Sequence, residues 1–204
     1  MQKHLATVLA ALVAVAAAAA ELRELPPPQK EGGAGFFTVL NQRRSRRSYT
    51  AEAPTPEQLS TLLWAGFGVS GSADRRTAPT AVNRREFTLY ALLADGAYKY
   101  LPKTHQLEKV SGEDLRPLAA GNVAAPAYIL IVADLKRAAS PEYAAIDSGY
   151  ISQNLYLASE ALGLGSCALG SFRRDEANAA KLAAKLKLGA NEKAMLSQAV
   201  GKVR

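Results

Sequence analysis

The side chains that most often bind metals or carry nucleophilic catalysis are scarce in this sequence. There is one cysteine, Cys167, and there are two histidines, His4 and His105, in 204 residues. A lone cysteine excludes an intrachain disulfide and argues against a cysteine-based zinc site. Only His105 could serve a Ser-His-Asp triad or a histidine-rich metal site, and no nucleophile motif stands near it. No Gly-Lys-Ser or Gly-Lys-Thr occurs. The glycines of Gly163-Leu164-Gly165 follow a long helical pattern instead of opening one, so a P-loop or a dinucleotide-binding turn is a weak reading. Acids are outnumbered, 18 to 25, for a formal charge of +7. That excess suits an anionic ligand, an anionic surface or a nucleic acid without choosing among them.

Long apolar runs are also few. Leu5 to Ala20 is almost wholly apolar, follows Lys3 and His4, and ends in Ala18-Ala19-Ala20. Residues 1–20 read as a cleaved secretory signal, because the tract is short of the roughly 20 apolar residues that a span needs. The mature chain is then expected to begin near Glu21 and to be periplasmic or secreted, with no stable membrane anchor after cleavage. Residues 21–35 carry Pro26-Pro27-Pro28 and Gly32-Gly33 and read as an extended leader. Residues 36–204 are enough for one full core and read as one domain.

Inside that domain helical and strand patterns alternate. Phe36 to Leu40 reads as a short helix. Thr55-Pro56-Glu57 is a helix start, with Thr as N-cap and Pro in the first turn, followed by Leu59, Leu62, Leu63 and Phe67 at helical spacing. Phe87–Leu93 and Ala97–Leu101 read as strands joined by an Asp95-Gly96 turn. Leu115 to Gly121 is a weak helix. Tyr128–Val132 is a continuous apolar strand pattern. Ser140-Pro141 opens a long helix to about Leu162, expected to be largely buried because its apolar residues go most of the way round. A short strand follows Gly165, Asp175 caps a further helix through Leu186, and Lys193–Val200 is the last strand. Cys167 reads as a small buried apolar residue.

The most unusual stretch is Arg43-Arg44-Ser45-Arg46-Arg47-Ser48-Tyr49. Arginine presents a planar fork of donors suited to phosphate oxygens, and serine adds a hydroxyl. The run therefore reads as a phosphate cradle, a solvated basic patch or a nucleic-acid footprint. Nucleic acid ranks last, because there is one basic cluster and no aromatic residues interleave with it.

Three stretches in this order resemble the FMN-dependent nitroreductase family: the arginine-serine run, the Pro79-Thr80-Ala81-Val82-Asn83 loop before a strand, and Ala161-Leu162-Gly163-Leu164-Gly165-Ser166-Cys167-Ala168-Leu169-Gly170. Tyr98-Lys99-Tyr100-Leu101-Pro102, with His105 and Leu107-Glu108, resembles the family's branch related to the SagB-type thiazole/oxazole dehydrogenases. The resemblance implies an α+β sandwich with a mainly antiparallel central sheet, dimeric, with FMN at the subunit interface. It implies that Arg43, Arg44, Ser45 and Arg47 hold the phosphate and ribityl chain, with Arg46 turned away. Pro79, Thr80, Ala81 and Asn83 would approach the flavin from the other subunit. Leu169 and Gly170 would stand beside the reactive ring nitrogen N5, with the Gly170 N–H as its donor and no catalytic side chain needed. Lys202 and Arg204 would bring further charge from a short tail. The implied activity is ping-pong electron transfer from a reduced donor such as NAD(P)H to a small organic acceptor. The alternatives are a dehydrogenase of a peptide heterocycle and a non-catalytic flavin- or anion-binding protein on the same fold.

Overall fold

The computed structural model describes residues 20–71 and 74–204, so the signal read at 1–20 lies outside the described residues except for its last alanine. Its centre is one sheet of seven antiparallel strands. In chain order these are β1 (Leu22–Glu24), β2 (Phe87–Leu93), β3 (Gly96–Leu101), β4 (Gln106–Ser111), β5 (Ala127–Asp134), β6 (Gly165–Leu169) and β7 (Glu192–Gly201). The spatial order is β1-β4-β3-β2-β5-β7-β6. Among the described residues, five α-helices accompany them: α1 (Phe36–Gln42), α2 (Pro56–Phe67), α3 (Arg116–Ala119), α4 (Pro141–Ala161) and α5 (Glu176–Lys185). The α+β sandwich expected from the sequence is the fold observed.

The sheet is covered on both faces, and alternation along its strands divides the core in two. Leu89, Ala91, Ile129 and Ile131 pack with Leu62 and Leu63 of α2 and Ile151 and Leu155 of α4. Tyr90, Leu92, Leu130 and Val132 point the other way, into Leu115, Ala119, Leu182 and Leu186 beside α3 and α5. Double coverage explains why β5 is apolar at successive positions. Side chains of period two leave no polar face when both faces are covered. Cys167 is buried in the second cluster.

Capping is as the sequence predicts. Thr55 Oγ1 accepts the Gln58 N–H at 3.2 Å, and Gln58 Oε1 accepts the Thr55 N–H at 2.9 Å, a reciprocal box at the start of α2. Ser140 and Asp175 cap α4 and α5 by accepting the N–H groups of Tyr143 and Asn178, without the reciprocal half of a box.

Three expectations need correction. β4 is absent from the sequence reading, and the leader is not wholly irregular. Leu22–Glu24 pairs with Gln106–Glu108 as an edge strand. Pro26 then fixes the leader's course, its carbonyl accepting the Ser60 hydroxyl and standing 3.2 Å from His105 Nε2. His105 Nδ1 lies 2.8 Å from the Tyr100 hydroxyl. Burial holds the imidazole below its ordinary pKa, so it is the neutral ring that knits leader, α2 and β3 together. The third correction concerns α4. Tyr143, Ile146 and Tyr150 are exposed along one stripe, and Phe36, Phe37 and Leu40 of α1 are exposed too. An apolar helix surface of this kind is not a buried one. Among the described residues, no helix is long and apolar enough to cross a membrane.

Candidate functional site

The arginine run is an extended segment laid against the outer edge of the sheet. α1 ends as the Arg43 N–H reaches the Val39 carbonyl at 2.9 Å. Ser45 then faces Ser166 in a parallel bridge, and the Arg46 N–H donates to the Ser166 carbonyl at 2.9 Å. Gly165 permits this approach, since a Cβ there would meet Cβ and Cγ of Arg46 at 2.8 Å. The C-terminal tail closes the other side. Thr50 N–H donates to the Lys202 carbonyl at 2.9 Å and Arg204 N–H to the Ser48 carbonyl at 3.3 Å. Tyr49 is buried beneath the run and its hydroxyl donates to the Arg46 carbonyl.

Tyr156 of α4 joins these pieces from below. Its hydroxyl accepts the Ala168 N–H at 2.8 Å and lies 2.9 Å from Ser45 Oγ. The Arg43 guanidinium stands 5.1 Å over its ring, within the range of a cation–π contact. A buried amide relay supports β6 as well: Ser152 donates to Gln198 Oε1 at 2.8 Å, and Gln198 Nε2 donates to Ser166 Oγ at 3.1 Å. With backbone and tyrosine fixing the segment, the guanidinium groups stay available. Among the described residues, none of Arg43, Arg44, Arg46 or Arg47 is in an ion pair. Lys202 differs: its ammonium lies 3.1 Å from Glu52, an exposed pair of the kind that contributes roughly 0–1 kcal/mol.

The Pro79–Asn83 loop is held by other means. Ala81 N–H donates to Asp147 Oδ2 at 2.7 Å, and the Arg85 N–H donates to Thr80 Oγ1 at 2.9 Å. Val82 and Asn83 have φ of 45° and 55°, and Val82 is 77% exposed. A β-branched residue in the left-handed region is strained, and such strain persists only where surrounding contacts enforce it. Beneath the loop, Asp147 and Glu86 are each 2% exposed. Neither Glu86 oxygen has a hydrogen-bond partner among the described residues. Burial, with help from the Asp147 charge, pushes the Glu86 carboxyl above the usual carboxylate range.

The residues singled out in the sequence therefore fall into two groups. Arg43, Arg44, Ser45, Arg47, Leu169, Gly170, Lys202 and Arg204 gather around β6 and the end of β7. Pro79, Thr80, Ala81 and Asn83 stand at the other half of α4, at Asp147 instead of Tyr156. Nine residues of helix separate those anchors, about 13.5 Å along its axis. One chain does not bring the two groups together. Tyr156 and Asp147, which position them, were not found by sequence reasoning. Both sit within a helix whose pattern signals packing only.

The fold has known counterparts. Residues 40–202 match the model of the Nitroreductase family. A protein of Methanocaldococcus jannaschii, provisionally named a nitroreductase, is 30% identical over 157 residues, which is 68% of this chain and 79% of that one. A provisionally named nitroreductase of Ralstonia eutropha JMP134 superposes with a TM-score of 0.82 at 30% identity, covering 90% of both chains. A Desulfovibrio desulfuricans structure in complex with FMN shares the fold at a TM-score of 0.62 and 23% identity, over 84% of this chain and 88% of that one. The fold and the family match thus define a nitroreductase-type α+β protein. The chain belongs to the nitroreductase family.

Proposed function

We propose that this protein is an exported FMN-dependent oxidoreductase, working as a homodimer and passing electrons in alternate half-reactions from NAD(P)H to a small organic acceptor. The observation that carries the reading is the arginine run. Its backbone is clamped, and its four guanidinium groups are free of carboxylates among the described residues. A group of arginines held close without counter-charge stores repulsion that a phosphate dianion relieves. The fit extends along β6. From Ser166, which the run pairs with, to Leu169 is three residues, about 10 Å. That is comparable to the reach of a ribityl phosphate arm and supports Gly170, exposed at the strand end, as the N–H donor to the ring. FMN, when bound, supplies the electron-transfer chemistry. The chain's own part is to bind the phosphate through Arg43, Arg44, Ser45 and Arg47, and to orient the ring at Leu169–Gly170.

Two observations support a second copy. The exposed apolar stripe of α4 and the exposed phenylalanines of α1 form the kind of surface that associating proteins cover. The strained loop at 79–83 is presented outward on the far half of α4, where a partner's ring could meet it. The FMN in the Desulfovibrio structure and the name NADH oxidase given to a Clostridium acetobutylicum neighbour, at a TM-score of 0.60 and 22% identity, point to the same chemistry.

The test is the absorption spectrum of the purified mature chain, followed by titration with NADH, NADPH and dithionite. Bound FMN reduced by a nicotinamide is the expected result. Flavin reduced by dithionite alone would leave a binding protein or a dehydrogenase with another donor. No flavin retained, and none taken up on reconstitution, would overturn the proposal. Export is checked separately: N-terminal sequencing of protein from the native host should begin near Glu21, and a retained Met1 would refute it.

A further inference from the structure

We propose that the open end of the β2–β3 hairpin carries a second anion site, built for a small phosphate monoester and separate from the arginine run. A cavity of about 330 Å³ lies there, between the C-terminus of α2 and the hairpin. Among the described residues, five cations line it, Arg76, Arg85, Lys99, Lys103 and Arg137, against one carboxylate, Asp74. Asp74 is shared by three of them, at 3.2 Å from Arg76, 3.3 Å from Arg85 and 3.5 Å from Lys103. Among the described residues, Lys99 and Arg137 have no carboxylate partner.

Arg76 shows that this is more than a solvated basic patch. Its side chain is only 10% exposed, and its guanidinium lies 5.4 Å over the Phe67 ring. Its Nε and Nη1 are buried with no hydrogen-bond partner among the described residues. Burial lowers its pKa, against the opposing pull of Asp74, so the site holds the cation at a cost. A buried charged donor is stable only when paired and hydrogen-bonded. One carboxylate already divided three ways does not meet that need. Phe67 and Phe87, edge to face at 5.8 Å, form an apolar floor that limits access by water and strengthens attraction at the opening.

The excess of four positive charges in so small a space favours a dianion over a single carboxylate. The volume suits a phosphate with a short organic substituent. The cavity is separate from the arginine run, and Arg85, which donates to Thr80 Oγ1 and Asn83 Oδ1 of the Pro79–Asn83 loop, is left unchanged in the variants that test it. β2 and the arginine run are four strand spacings apart, roughly 19 Å.

Calorimetric titration with inorganic phosphate and with phenyl phosphate, at fixed ionic strength, tests this. It is run on the full mature chain and on its Arg47→Ala variant, which weakens any phosphate binding at the run. Saturable binding is expected to persist in Arg47→Ala and to fall about tenfold or more in Arg76→Met and in Arg137→Met. Lys99→Met, which leaves the Asp74 pairs intact, should also weaken binding and guards against a folding defect in Arg76→Met. Flavin content should be the same in all three cavity variants, so a failure of the flavin reading would show in every protein and leave this result untouched. Three outcomes would overturn the proposal: no saturable binding, binding lost in Arg47→Ala but kept in Arg76→Met, or succinate bound as tightly as phenyl phosphate.

Discussion

The two halves of the proposed flavin site are held in opposite ways. The arginine run has a relaxed, hydrogen-bonded backbone and side chains left free. The Pro79–Asn83 loop has a strained backbone, tied down by the Ala81 N–H on Asp147 and by the Arg85 N–H on the Thr80 hydroxyl, above two buried carboxyls. The difference follows from what each must offer. A phosphate is recognised by mobile, charged forks, which need only a firm root. A planar ring is approached by backbone and small side chains, so precision must be built into the main chain itself. The run should therefore be sensitive to loss of single side chains, and the loop to changes in what lies under it.

The largest expected effect is at the run. Arg47→Ala should weaken FMN binding by roughly ten- to a hundredfold, the loss of a hydrogen bond to a charged group of about 1.5–3 kcal/mol. Arg46→Ala should change it little, because the stem of Arg46 lies against Gly165. Flavin titration of the two apo-variants at moderate salt decides the matter. Equal losses, or none, would remove the special role given to Arg47.

Next comes the root of the run. Tyr156→Phe keeps the ring under Arg43 but deletes the hydroxyl that serves Ala168 and Ser45. Leaving the Ala168 N–H without its acceptor should lower stability by about 1–3 kcal/mol. Flavin occupancy should fall with it, whereas Ser45→Ala, which leaves that N–H served, should be milder. Denaturant unfolding of the three proteins gives the order. If Tyr156→Phe is as stable as the parent, the run is anchored by its backbone alone.

The buried carboxyls under the loop predict a pH effect of known sign. The Glu86 carboxyl is raised in the folded chain, so the native state keeps its proton after the unfolded state has released it near pH 4.3. Its contribution is full below that pH and is lost as pH rises toward the folded value. Glu86→Gln should therefore gain on the parent as pH goes from 4 to 7, measured as thermal midpoints across that range. Parallel curves would mean that the carboxyl does not titrate in this window.

How much of this was legible depends on whether the signal was local. Thr55, Ser140 and Asp175 announce their helices because a cap is written in three or four adjacent residues. β5 is legible because both its faces are buried. β4 is not, because it is mostly half-exposed and carries Gln106, Glu108 and Lys109 among its few apolar residues. Its strand state is imposed by β3 and β1 on either side. The exposure of the stripe Tyr143, Ile146, Tyr150 is not legible for a different reason. Periodicity shows that a helix face is apolar but not whether the sheet or nothing in this chain lies against it. The arginine run was legible as a cluster, since its charges are consecutive. The cavity around Arg76 was not, because its cations come from four separate segments and meet only in the fold.

The smallest predicted effect lies at the opposite edge of the sheet from the run, where β1 is fastened through His105. The ring is half-buried and neutral, with Nδ1 facing the Tyr100 hydroxyl and Nε2 facing Ser60 and the Pro26 carbonyl. Burial depresses its folded pKa, so on acidification the unfolded chain takes up its proton first, near pH 6.5. The stabilising share of this node is thus present above that value and declines as pH falls through 6.5 toward the folded pKa. Only three leader residues pair at this edge, so the loss should be local: amide exchange in Leu22–Glu24 should quicken between pH 7 and 5 while exchange in β5 stays unchanged. His105 also has a φ of 56°, a conformation that Asn tolerates well, so His105→Asn should abolish the pH dependence without adding backbone strain. If the variant's leader amides still quicken over the same range, acid loosens this edge through its ion pairs, Arg23 with Asp95 or Lys109 with Glu21, and His105 is not the fastening.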